Sequence, residues 1–119
     1  MADIRVFEGN APLLTIRIKR KTVDGDRLPY LLSGNPGIDL YVKSRKSDTD
    51  AAAKFHYAKP AEITIVDDGS GVDDTYSEIT IQCAAVDIAP PGSYPFHLDV
   101  TKAGLPETVM AGQFIIENT

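Results

Sequence analysis

A single cysteine, Cys83, stands in 119 residues, which excludes an intrachain disulfide and the stapled scaffold of small secreted domains. Tryptophan is absent, and His56 and His97 are the only histidines. One thiol and two imidazoles give no recognised zinc spacing, so no metal site and no cofactor are expected. There is no Gly-x-Ser-x-Gly elbow, phosphate loop or dinucleotide fingerprint, and an enzyme is not expected. No run approaches the roughly 18 apolar residues of a membrane-spanning helix. Met1-Ala2-Asp3-Ile4-Arg5-Val6 also lacks the apolar stretch of a signal peptide, so the expectation is a soluble, cytoplasmically made product with no membrane partner. Helical pattern is scarce too. Only Ala51 to Lys54 and Ala84 to Ile88 have room for a turn.

What the sequence does have is period-two alternation. Tyr94, Phe96, Leu98 and Val100 alternate with Ser93, Pro95, His97 and Asp99, the pattern of a strand with one buried face. Met110, Phe114 and Ile116 answer them, and Thr101 to Glu107 carries the Gly and Pro of a turn, predicting a long antiparallel hairpin. Pro95 cannot donate to a ladder, which predicts an edge or a bulge there. Shorter alternating runs lie at Ile4–Phe7, Leu14–Ile18, Ile38–Val42, Phe55–Tyr57, Ile63–Val66 and Tyr76–Cys83. Seven or eight such strands in one domain, residues 1–119, predict an all-β, antiparallel β-sandwich. The parity of these runs turns Cys83 inward and both histidines outward. The connection from Thr22 to Gly37 is long, but Leu28, Tyr30, Leu31 and Leu32 are too apolar for free solvent, so it is expected to fold back onto a sheet edge or an end of the core.

Charge is unevenly spread. Residues 1–60 carry 11 Lys+Arg against 7 Asp+Glu, a net of +4, and residues 61–119 carry 1 against 10, a net of −9. Either early and late strands pair and neutralise each other, or the folded surface has a basic and an acidic patch that favour head-to-tail assembly. Arg17, Lys19, Lys21, Lys43 and Arg45 are the candidate interface residues. Overall acidity, with no aromatic platform beside these cations, argues against nucleic acid. Asp67, Asp68, Asp73 and Asp74 are oxygen donors of the kind calcium takes, but their spacing fails the EF-hand pattern and reads as a solvated hairpin tip.

In order and spacing, the pieces resemble the immunoglobulin-like N-terminal domain of phage baseplate upper proteins. Phe7-Glu8-Gly9-Asn10 precedes a strand at Leu13–Ile18, Asp24-Gly25 and Leu32-Ser33-Gly34 lead into Ile38–Val42, and an Asp/Gly-rich hairpin occupies the middle. Gly92-Ser93-Tyr94 then opens a strand that pairs with Gly112-Gln113-Phe114-Ile115-Ile116. The resemblance implies an immunoglobulin-like sandwich in a non-enzymatic virion component, a small baseplate or tail part or adaptor. Its partners would be copies of itself and neighbouring phage structural proteins, and its location the virion. Capsid or collar decoration, a carbohydrate-binding adhesion module, and a cytoplasmic regulator or inhibitor of a host protein are the alternatives. The resemblance carries no functional residues, because what matches is a fold motif.

Overall fold

The alternating runs become strands in the computed structural model, which describes residues 2–21, 27–45, 47–71 and 75–118. These strands are β1 (Ala2–Phe7), β2 (Leu13–Lys21), β3 (Arg27–Pro29), β4 (Gly37–Val42), β5 (Phe55–Ala58), β6 (Ile63–Asp67), β7 (Ser77–Gln82), β8 (Gly92–Lys102) and β9 (Leu105–Glu117). Single 3-10 turns at Asp50–Ala52 and Ala85–Asp87 occupy the two stretches with room for a helical turn.

Two sheets form, ordered β1-β9-β8-β4-β5 and β3-β2-β7-β6. The fold is an all-β sandwich, with β4, β8 and β9 in one layer and β2, β7 and β6 in the other. Among the described residues every pairing is antiparallel except that of β1 with β9, which run parallel from Ala2↔Gly112 to Phe7↔Glu117. Each sheet therefore joins early strands to late ones, and the two charge-unequal halves meet in ladders. Arg5 reaches Glu117 at 2.9 Å, and Arg17 reaches Glu78 at 3.3 Å. Both pairs are exposed and stabilise by well under about 1 kcal/mol each.

The core lies between the layers. Ile38, Leu40 and Val42 of β4 meet Phe96, Leu98 and Val100 of β8, and Phe114 and Ile116 of β9, all within 3 % of complete burial. Ile18, Ile63, Ile79 and Ile81 cover them from the second sheet, and Cys83 is buried at the inward position its parity predicts. Full burial of each large side chain stabilises by about 1.5–3 kcal/mol. Met110 is only half-buried at the rim of this core.

The connection after β3 folds back through Tyr30 and Leu32, while Leu31, expected to be covered, stays 42 % exposed and the Leu28 side chain lies outside the described residues. Leu32 is buried and its N–H donates to the Asp68 carbonyl at 2.9 Å, while the Tyr30 hydroxyl donates to Glu107 on the hairpin. The hairpin turn is tighter than predicted: β8 runs to Lys102 and β9 starts at Leu105, leaving only Ala103 and Gly104 between them. The expectation for Pro95 also needs correction. β8 is a central strand, and the bulge in its pairing with β9 lies at Leu98/Asp99. Pro95 is tolerated because the last β4 pair is Val42↔Phe96. A residue's N–H and C=O face the same neighbour, and past that pair β4 asks only for the Pro95 carbonyl, which accepts from Lys43 N–H at 2.8 Å.

Candidate functional site

The outward face of the five-stranded sheet concentrates the ionisable and aromatic side chains. Strand register sets them in rows. Tyr41 pairs with His56 of β5 on one side and with His97 of β8 on the other. The three rings stack, with Tyr41 and His56 centroids 4.4 Å apart and 4° between planes, and Tyr41 and His97 at 5.1 Å and 28°. In the adjoining row Asp39 lies directly opposite Asp99. Like charges in register repel, and neighbours offset this pair. His56 Nε2 sits 2.8 Å from Asp39 Oδ1, and the Thr108 hydroxyl donates to Asp99 Oδ1 at 2.7 Å.

The segment between β4 and β5 folds over this face and delivers Asp50. Lys43 follows Tyr41 by two residues, so it shares the outward parity, yet its side chain is only 11 % exposed because the segment covers it. Its ammonium lies 2.8 Å from Asp50 Oδ1, and this bond holds the Asp50 carboxyl below the usual carboxylate range. His97 Nε2 stands 3.4 Å from the same Asp50 oxygen and 3.5 Å from Asp99 Oδ2. Burial raises the Tyr41 hydroxyl pKa, and the charges of Asp39, Asp50 and Asp99 raise it further. The Asp39, Asp50 and Asp99 carboxylates thus surround the ring stack. Beside it is an open depression of about 230 Å³ lined by Lys43, Pro95, His97, Gly112 and Gln113 among others.

The four candidate interface cations whose side chains are described, Arg17, Lys19, Lys43 and Arg45, do not come together. Arg17 and Lys19 are exposed on the other sheet, where Arg17 also lies over the Tyr76 ring at 4.5 Å. Lys21 belongs to β2, but its side chain lies outside the described residues. Lys43 is buried in the Asp50 pair, and Arg45, 83 % exposed, is 3.8 Å from Asp48. In the acidic loop, Asp67 Oδ1 accepts from Gly69 N–H and Asp68 Oδ1 accepts from Ser70 N–H and Oγ, so both carboxylates brace the turn. Asp73 and Asp74 lie outside the described residues.

Sequence reasoning passed over the cluster of Asp50, His97 and Asp99. Its signal was the His97-Leu98-Asp99 spacing, which places imidazole and carboxylate on one face of a strand. Asp50 had no such signal.

No protein-family model matches the chain, and neither the curated proteins nor the solved structures contain a significant match.

Proposed function

We propose that this chain is a non-enzymatic structural module of a bacteriophage virion, an immunoglobulin-like baseplate or tail component that assembles with copies of itself and with neighbouring virion proteins. The observation that carries the assembly reading is the outer edge of β9. β1 pairs only with Gly112–Glu117, so among the described residues no strand covers Leu105–Ala111 on the side away from β8. An open edge of that length is a template for strand addition by another chain. Leu105, 74 % exposed at its start, adds an apolar contact. The virion assignment rests on the order of motifs that resembles the baseplate family.

Sedimentation equilibrium across concentration, at low and high salt, tests the assembly. Association that persists in high salt and is lost in a Leu105→Lys, Ala111→Lys double variant is the expected result. Association abolished by salt and by changing Arg17, Lys19 and Lys21 to Glu would move the interface to the basic strand. A monomer at every concentration, together with absence of the protein from purified particles, overturns the reading.

A further inference from the structure

We propose that Asp50, His97 and Asp99 form a binding site for one divalent transition-metal ion of the zinc class. Each residue offers one donor atom, and all three atoms lie within 4.8 Å of one another. The two separations from His97 Nε2, 3.4 and 3.5 Å, match the spacing of about 3.3 Å that bonds of about 2.0 Å impose around a tetrahedral ion. One imidazole with two carboxylates suits zinc and its neighbours. Calcium takes six to eight oxygens, which this set cannot supply.

The donors are oriented from behind. Thr108 holds Asp99 Oδ1 and leaves Oδ2 facing His97. The Tyr41 ring packs against the His97 imidazole, with His56 on the far side of Tyr41 and bonded to Asp39. Such outer contacts fix the direction of metal ligands. The Lys43 ammonium, at 2.8 Å from Asp50 Oδ1, already places a cation on this oxygen. Metal binding displaces it, and the depression lined by Lys43 and Gln113 has room for the displaced head group. No bond is made or broken except coordination, and any proton on His97 leaves to solvent. The ion would clamp the Asp50 segment to β8. None of its three ligands lies on the open edge, although Thr108, which holds Asp99, belongs to that stretch of β9.

The test is calorimetric titration of the full chain with zinc, repeated with cobalt for its visible absorption, each against magnesium and calcium as competitors. One zinc ion per chain is expected, with no competition from the alkaline-earth ions. His97→Gln and Asp99→Asn each abolish binding. Thr108→Val weakens it about tenfold or more by releasing Asp99. His56→Gln leaves it intact. Lys43→Met tightens it, an effect that a misfolded variant cannot produce. Zinc binding that is absent, that survives His97→Gln, that falls with His56→Gln, or that fails to tighten with Lys43→Met overturns the assignment.

Discussion

The Tyr94 hydroxyl donates to the Pro90 carbonyl four residues upstream, at 2.6 Å. Tyr94 is the third residue of β8, so this bond fastens the crossing from one sheet to the start of the central strand of the other, in the manner of the tyrosine corner. The ring is half-buried, and the Lys54 ammonium lies 5.0 Å from its centre while itself donating to the Ala89 carbonyl at 2.5 Å. Tyr94→Phe keeps the ring and deletes the bond. It should lower stability by about 1 kcal/mol, read as a shift of the urea midpoint at unchanged slope. No shift would mean that ring packing alone holds the corner.

The β8–β9 turn has a residue that fits its conformation poorly. Ala103 has φ 52° and Gly104 has φ 76°, the pair of positive values of a type I′ hairpin turn. Glycine adopts this freely, whereas alanine pays a steric penalty in the left-handed region. Ala103→Asn installs the favoured Asn-Gly pair and should raise stability by up to about 1 kcal/mol. Thermal unfolding would show a higher midpoint, and a lower one would contradict the turn assignment.

Burial pushes the Cys83 thiol from 9.0 up to about 11. The unfolded chain therefore loses this proton first, so the contribution is intact below pH 9 and is lost as pH rises from 9 to about 11. Burial also raises Tyr57, whose hydroxyl donates to Asp87 and accepts from Ala84 N–H, each at 3.0 Å, and it reinforces the fall above pH 10. Denaturant midpoints measured between pH 9 and 10 should fall for the native sequence and fall less for Cys83→Ala. Equal slopes would remove the thiol from the account.

Strand positions were legible because burial on one face leaves a period that nothing else in this sequence produces. Leu98 and Phe114 could be assigned to the core by parity alone. β3 could not, since three residues show no period, and it forms only because β2 is long enough to accept it at Lys19↔Pro29 to Lys21↔Arg27. Lys43 shares the outward parity of Tyr41. Outward became buried because a segment with no periodic signal, 47–54, folds over that face. The same segment hid the candidate metal site: His97 and Asp99 share a strand face in any register, but Asp50 joins them only through tertiary closure.

The parallel seam between β1 and β9 bears on how the molecule comes together in time. The Gln113 N–H donates to Asp3 across 110 residues of sequence, and Arg5 meets Glu117 across 112. Contacts this distant along the chain form slowly, because the loop they close costs entropy before any contact rewards it. During synthesis β1 emerges well before β9, its only strand partner among the described residues. Until β9 follows, Ile4 and Val6 have no groove to enter, and chaperones or neighbouring nascent chains can compete for the waiting strand.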